Sequence, residues 1–387
     1  MTANESEARQ TFTVQFVDGR GNPFGGRGVE LELHVDGARR QTVGKNTAKP
    51  VRLKFPAGHK TRILAKVAGH EPQQIEVGSD ASQYEFRFKG GGQPIVLIVA
   101  TKDCEAAAVR AVCDHYSEPV GPAGDPNIYR VGIFRTGAQS AARNVLMVTS
   151  GMGNQAAGAV TVQALNSFPG IEHILLVGIA GGCPDPIKPA EHVRLGDIVV
   201  ADHRGIVQYD NVKATATAVQ FRGHPQMPAA RMLQAARDLD TEAELGKRPW
   251  EARIARGIEN YRGAARPPDA SDVLHDGTKV VPHPADPKRR PGHPRVHRGA
   301  IASADTLQKN PAQRDMLRDK WDVRAIEMEG SGLQNAAWML GKDVMVIRGI
   351  CDYCDAYKND DWQPYASLVA AAYARAMIET LPDEWFP

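Results

Sequence analysis

Three acidic residues in the last quarter of the sequence stand in apolar surroundings. Glu327 and Glu329 belong to the run A-I-E-M-E-G, and Asp352 follows the apolar run at 344–350. A carboxylate in such surroundings loses hydration, so it is paired, hydrogen-bonded or used in chemistry. We therefore expect the segment 325–355 to hold half of an active site.

A fourth acidic residue is the candidate for the other half. Glu105 lies in A-T-K-D-C-E, just beyond the apolar run at 95–99. Functional groups in open α/β sheets gather at the carboxyl ends of strands. A glutamate here is also common in the first turn of a helix, where the helix dipole stabilises it. Taken alone, Glu105 leaves both roles open.

The segment S-G-M-G-N at 150–154 follows another apolar run and reads G-x-G-x-x-A when extended to Ala156. That pattern occurs in dinucleotide sites, which also need an acidic residue at the end of the next strand. The next run ends in Val-Gly instead. We expect close approach to a small ligand at Ser150 and Gly151, not a dinucleotide site.

The segment V-G-I-A-G-G at 177–182 has a similar character. Small residues at a strand end let backbone N–H groups approach a ligand, which makes Ala180 and Gly181 binding candidates. Tight packing of a helix on a strand explains the same residues equally well.

Cys351 and Cys354 form a C-x-x-C pair beside Asp352. Zinc would need two further ligands, and the sequence has no second Cys or His pair at metal-binding spacing. The thioredoxin-like context of a redox pair is also missing. We predict no metal and no cofactor.

The elements that must position these residues indicate a three-layer α/β/α domain with a mixed sheet. Continuous apolar runs are typical of strands buried on both faces; they occur at 95–99, 145–149, 174–177, 197–201, 300–303 and 344–350. Helical patterns alternate with them, as expected for an α/β domain, at 104–115, 154–166, 228–239, 331–340 and 365–381. We assign this catalytic domain to 94–387.

A different pattern precedes it. After a polar tail at 1–10, apolar and polar residues alternate in short runs bounded by Gly, Pro and Asp, which predicts a small antiparallel β-sandwich at 11–89. The glycines of 90–93 form a flexible linker. Three scattered histidines of the sandwich are expected at the surface: His34, His59 and His70.

Residues 214–298 are predicted to be an irregular insertion, because prolines and glycines interrupt the pattern. Its end is basic, which suggests either a solvated loop or a mobile lid that meets substrate phosphates. The phosphate-binding candidates are Lys288, Arg289, Arg290, Arg295 and Arg298.

Composition limits the possible partners. The chain has 387 residues, 42% hydrophobic and 24% charged, which is typical of a globular protein. A formal charge of +2 gives no reason to expect nucleic acid or membrane binding. Five irregularly spaced cysteines and the absence of a signal-peptide profile lead us to expect a reducing cytoplasm.

A series of motifs resembles the nucleoside phosphorylase and nucleosidase superfamily: S-G-M-G, V-G-I-A-G-G, L-G-D-I-V-V-A-D, A-S-A-D-T-L, A-I-E-M-E-G-S-G-L and V-I-R-G-I-C-D. The resemblance covers 94–381. The stretch R-G-I-C-D-Y-C-D…W-Q-P-Y is similar to the ATP nucleosidase effector domains of NLR-type immune proteins and bacterial anti-phage systems. Residues 11–89 resemble transthyretin-like domains.

The resemblance implies a role for each site residue. Glu105 would position and deprotonate water, Asp352 would protonate purine N7, Glu329 would bind the ribose hydroxyls and Met328 would pack under the sugar. The remaining substrate-binding candidates are Ala180, Gly181, Leu307, Glu327 and Arg348. Two positions depart from the family pattern: Leu307 replaces a common base-stacking aromatic residue, and Cys351 replaces a common serine.

Glycosidic cleavage develops positive charge on the sugar and needs an acid at the base and a base for water. The acid must lie where burial favours its neutral form, and the apolar flank of Asp352 suits this. Acidic residues around Glu105 would repel phosphate, so hydrolysis is favoured over phosphorolysis.

We expect an adenine nucleotide nucleosidase that acts on ATP or dATP in anti-phage defence. We also expect a homo-oligomer, from dimer to hexamer, with a possible activator partner. The alternatives are a methylthioadenosine/S-adenosylhomocysteine nucleosidase, a purine nucleoside phosphorylase and a non-catalytic nucleotide sensor.

Overall fold

The computed structural model describes residues 9–18, 29–45, 50–56, 59–67, 73–78, 83–88, 94–135, 142–222 and 225–386. The predicted linker and His70 lie outside these ranges, as do residues 1–8 of the predicted tail. Arg9 and Gln10, which were also predicted as tail, begin the first strand instead.

The N-terminal region contains seven described strands. They are β1 (Arg9–Asp18), β2 (Val29–Val35), β3 (Ala38–Lys45), β4 (Val51–Pro56), β5 (Thr61–Val67), β6 (Gln73–Val77) and β7 (Gln83–Phe88). They form two sheets, with the orders β4-β1-β7 and β3-β2-β5-β6. Phe12 and Phe86 of the first sheet share one buried core with Leu31 and Ile63 of the second, so the sandwich forms by burying one face of each sheet.

Two details of this sandwich differ from the prediction. Strand β3 was missed, and β1 pairs with β7 in parallel, with Phe16 opposite Phe86. No hairpin joins β1 to β7, so no tight turn imposes an antiparallel direction. His34 is half-buried beside Glu32 and His59 is exposed beside Asp36. The resemblance to transthyretin-like domains stays a prediction.

The second region contains thirteen described strands, β8 to β20. In order, they are Val96–Ala100, His115–Tyr116, Arg130–Arg135, Ala142–Thr149, His173–Gly182, Ile198–Gln208, Val212–Ala214, Val219–Phe221, Leu274–Asp276, Lys279–Val281, Val296–Ser303, Val323–Glu327 and Asp343–Asp352. Its helices, α1 to α7, are Asp103–Ala111, Asn154–Ser167, Ala230–Glu244, Pro249–Asn260, Pro311–Trp321, Gly330–Met339 and Gln363–Thr380.

Nine of these strands form one mixed sheet with the order β19-β18-β13-β20-β12-β8-β11-β10-β9. Strand β12 also pairs with β19 through Gly181 and Gly182, opposite Ile326 and Ala325. This extra pairing closes five strands into a small barrel, at whose rim several carboxyl ends meet. The predicted mixed α/β class is confirmed; β9, β10 and β19 were missed because they are short or have mixed polarity.

Helix α7 lies at the centre of the helical layer that packs on β12 and β20, and α1, α3 and α4 pack against it. Helices α2 and α6 pack on each other. Within the described part of the chain, no helix combines the length and the apolar character that crossing a bilayer requires.

The insertion is more ordered than predicted. Besides α3, which the helical pattern at 228–239 predicted, it contains α4 and short hairpins, and Trp250 and Ile254 of α4 are buried in the main core. Trp250 and Ile254 are four residues apart, as on one face of a helix, and Pro249 occupies the first helical position. These two features of the sequence could have predicted α4. The prediction of an irregular segment is wrong here because its polar residues cover only the outer face of the helix.

Candidate active site

The ends of β8, β12, β19 and β20 surround a cavity of about 290 Å³. Because the carboxyl ends of neighbouring parallel strands meet at one edge, residues far apart in sequence converge there. Eight of the predicted site residues line this cavity: Glu105, Ala180, Gly181, Leu307, Glu327, Met328, Glu329 and Asp352.

Glu105 is buried in the first turn of α1, directly after β8. Its Oε2 accepts hydrogen bonds from Thr101 N, Thr101 Oγ1 and Lys102 N at 2.6, 2.8 and 3.0 Å. Its Oε1 accepts one from Ile179 N at 2.8 Å. The residue thus stabilises the start of the helix and also faces the cavity, where Oε1 retains capacity to accept from a ligand. The two roles left open by the sequence coexist.

Arg348 lies on β20 and is fully buried beneath three glutamates. Its guanidinium contacts Glu327, approaches Glu329 Oε2 at 3.1 Å and lies 3.8 Å from Glu105 Oε1. Arg348 does not belong to the cavity wall. Its predicted role in substrate binding is therefore corrected to one of holding the carboxylates, because their side chains occupy the space between it and the cavity.

Glu327 anchors the turn that carries the next two residues. Its oxygens accept hydrogen bonds from the backbone N–H groups of Glu329 and Gly330 at about 3 Å. Glu329 in turn accepts from Gly153 N at 3.1 Å. Burial raises the pKa of Glu329 to about 7, and Glu327 adds to this, although Arg348 opposes it. One guanidinium cannot neutralise three buried carboxylates.

Asp352 ends β20 and is buried. Its Oδ1 accepts from Cys354 N at 2.9 Å, and its Oδ2 lies 2.5 Å from Lys358 Nζ and 3.2 Å from Cys351 Sγ. Burial disfavours the charged ammonium of Lys358, but Asp352 outweighs it and raises the pKa of Lys358. The sequence reasoning anticipated the apolar flank and missed this lysine. Cys351 and Cys354 are free, buried thiols.

Two glycines of β12 make room for the acids. A methyl group at Gly178 would lie 2.2 Å from Glu105 Oε1, and one at Gly181 would lie 2.1 Å from Cys354 Sγ and 2.8 Å from Asp352 Oδ1. None of these distances is sterically possible for a carbon atom. The glycines of V-G-I-A-G-G thus admit carboxylates to the strand surface, a use that the sequence reasoning did not consider.

The turn at 150–154 contributes differently from the prediction. Met152 lines the cavity and Gly153 N binds Glu329, whereas Ser150 and Gly151 are not part of the cavity wall. Ser150 Oγ donates to the backbone oxygen of Gly151 at 2.8 Å. This local hydrogen bond directs the serine hydroxyl into the loop. Met152, rather than Ser150 or Gly151, therefore lines the cavity at this turn.

Seven polar wall residues were missed: Thr101, Lys102, Thr306, Gln308, Lys358, Asp360 and Gln363. The two lysines follow the same strands as Glu105 and Asp352, so position after a buried strand was a usable signal for both. Gln363 begins α7, and its Oε1 accepts from Lys102 Nζ at 2.7 Å. The contact joins segments remote in sequence, which no local pattern reveals.

The predicted phosphate-binding residues lie elsewhere. None of them lines the cavity, and each has a carboxylate partner: Lys288 with Glu244, Arg289 with Asp197, Arg290 with Glu251, Arg295 with Asp286 and Arg298 with Asp240. Arg289 and Arg290 border a separate cavity of about 50 Å³. We therefore correct the prediction: four of these cations pair with carboxylates inside the insertion, and Arg289 joins the insertion to Asp197 of the rest of the domain.

The chain is similar to several known proteins. The chain is 30% identical over 289 residues to a nucleotide-binding leucine-rich repeat (NLR)-like protein of Hyaloscypha variabilis, covering 71% of this chain and 28% of that protein. It is 25% identical to the ATP nucleosidase Cap17 of Escherichia coli, covering 72% and 50%. The chain thus spans half or less of the length of these relatives.

The fold matches a solved structure, the 5′-methylthioadenosine/S-adenosyl homocysteine nucleosidase of Helicobacter pylori. The TM-score is 0.52 and the identity 16%, over 75% of this chain and all of that one. The family model described as the phosphorylase superfamily matches residues 94–379. The predicted family is confirmed, and the chain belongs to the phosphorylase superfamily.

Proposed function

We propose that the chain hydrolyses the N-glycosidic bond of an adenine nucleotide, with ATP as its substrate. The observation that carries this proposal is the convergence of three buried carboxylates, Glu105, Glu329 and Asp352, from three strand ends on one cavity. Such a set matches the three needs of the reaction: a base for water, a partner for the ribose and an acid at the purine.

In this proposal Glu105 receives a proton from the attacking water, and its fixed position comes from the bonds of Thr101 and Ile179. The water attacks the sugar carbon as the bond to the base breaks. Glu329 stays close to the ribose hydroxyls, where negative charge favours the positive transition state. The Lys358 ammonium, 2.5 Å from Asp352 Oδ2, supplies a proton that Asp352 passes to N7, which makes adenine the leaving group.

Hydrolysis is supported over phosphorolysis by the charges at the cavity. Five carboxylates and two lysines belong to the described wall. Inorganic phosphate beside Glu105 would meet repulsion from the nearby glutamates. A neutral water molecule meets no such penalty.

The choice of ATP and of a role in anti-phage defence is supported by relatives whose names include an ATP nucleosidase and an NLR-like protein. Gating by assembly or by an activating partner would suit that role, because uncontrolled loss of ATP harms the cell itself.

The test is to incubate the full chain with ATP, AMP or methylthioadenosine, without phosphate, and to quantify free adenine by chromatography. We expect adenine from ATP, and its release should fall by about 10²- to 10⁴-fold in Asp352→Asn. A preference for methylthioadenosine would identify the rival nucleosidase. Release only upon addition of phosphate would identify a phosphorylase, and ATP binding without release would favour the sensor.

A further inference from the structure

The wall of the cavity contains two cationic side chains among the described residues, Lys102 and Lys358. They differ in their partners. Lys358 Nζ lies 2.5 Å from Asp352 Oδ2, so its charge is already matched. Lys102 Nζ donates to the neutral amide oxygen of Gln363 at 2.7 Å. No carboxylate of the described residues lies within 4 Å of Lys102 Nζ.

The position of Lys102 is set by the catalytic machinery. Its backbone N–H donates to Glu105 Oε2 at 3.0 Å, and it precedes the first residue of α1. Its side chain leaves this point toward Gln363, at the start of α7.

From this geometry we propose that Lys102 binds the 5′ phosphates of the substrate and selects a nucleotide over a nucleoside. The inference rests on the proposed function. In that arrangement the base lies beside Asp352 and the ribose lies beside Glu329. The wall formed by Lys102 and Gln363 is left for the 5′ end.

Lys102 and Gln363 suit an anionic group chemically. The ammonium of Lys102 can exchange its hydrogen bond to the Gln363 amide for a stronger, charge-assisted bond to a phosphate. Lys358 would first have to give up its charge-assisted bond to Asp352, so it would gain little. Asp360 lies on the same wall, but it accepts from Gln363 Nε2, so the amide separates its charge from Lys102.

The test compares Lys102→Met, which keeps the length of the side chain, with Lys102→Arg, which keeps its charge. We expect the ratio of kcat/KM for ATP to that for adenosine to fall about 10- to 100-fold in Lys102→Met, mainly through KM. Lys102→Arg should retain most of that ratio. An unchanged ratio in Lys102→Met, or equal losses for ATP and adenosine, would overturn the proposal.

A binding measurement separates this inference from the proposed function. ATP and adenosine are titrated into Asp352→Asn, with and without Lys102→Met. A selective loss of ATP affinity in the Lys102→Met variant supports the role of Lys102. If no compound released adenine, that result would reject the proposed hydrolysis but not the role of Lys102. Equal ATP affinity in both variants would reject the role of Lys102 whatever the turnover.

Discussion

Two buried charge clusters in the catalytic region have opposite balances. In the site cluster, defined as Glu105, Glu327, Glu329 and Arg348, three carboxylates share one guanidinium. The insertion cluster is defined as Asp197, Arg289, His297 and the backbone of Arg194 and Arg295. Here the single carboxylate, that of Asp197, accepts hydrogen bonds from all the other members at 2.6 to 3.1 Å.

The pKa shifts record this difference. Burial would raise the pKa of Asp197, but Arg289 and His297 outweigh burial and lower it well below its usual range. Burial raises the pKa of Glu329 to about 7, against only partial compensation by Arg348. A satisfied cluster stabilises a fold, whereas an incompletely satisfied one beside a cavity is typical of a functional site. The comparison distinguishes charged groups that stabilise the fold from charged groups that are available for catalysis.

The largest effect should come from Glu105→Gln. The amide retains the shape and an acceptor for Thr101 N, but it cannot take a proton from water. We expect kcat for adenine release to fall by about 10²- to 10⁴-fold. Ile179 N loses its acceptor in the variant, which costs about 1–3 kcal/mol of stability, so kcat is compared per folded molecule. Steady-state kinetics and thermal denaturation check this, with Glu172→Gln, an exposed glutamate, as the control. Activity within tenfold of the parent would show that the cluster is structural.

The reverse result is expected for Asp197→Asn in the insertion cluster. Removal of the buried carboxylate leaves the half-buried Arg289 without its countercharge, which costs about 3–5 kcal/mol of unfolding free energy. Denaturant unfolding measures this loss. The kcat per folded molecule should stay within about threefold of the parent. If stability were retained and turnover lost, the division between the clusters would be wrong.

A smaller effect is expected for Glu329→Gln, and it depends on pH. Because the folded-state pKa of about 7 exceeds the ordinary value of 4.5, ionisation of Glu329 destabilises the fold as pH rises from about 4.5 to 7. Glutamine removes this cost, so the variant should gain up to about 3 kcal/mol relative to the parent at pH 8 and little at pH 4.

Unfolding free energies of both proteins at pH 4, 6 and 8 provide the measurement. A difference that is the same at all three pH values would mean that Glu329 shares the satisfied state of Asp197, and the contrast between the two clusters would disappear.

Most of the site could be predicted from the sequence because the end of an apolar run marks the end of a buried strand. Glu105, Glu329 and Asp352 each follow or end an apolar run, and parallel strands bring such ends together. The basic residues of the insertion misled the prediction, since their partners are not local. Asp197 and Arg289 are remote in the chain, so the sequence displays the cation without the carboxylate that neutralises it.

Contacts between remote segments explain the other misses. Lys102 meets Gln363, and Arg348 meets Glu105, only after the sheet has assembled. Helix α4 was overlooked for a different reason: its buried face consists of few residues, and its charged face gives the stretch the composition of a loop.

The position of β20 has a consequence for the order of folding. This strand lies between β12 and β13, both of which precede it by a long stretch of chain. A sheet completed by inserting a late strand between two earlier ones depends on non-local pairing, which is slow. Since β20 carries both Arg348 and Asp352, an intermediate that lacks it has neither the guanidinium nor the acid. Enzymatic activity should therefore appear only with the last cooperative step of refolding, after most of the helical signal has returned.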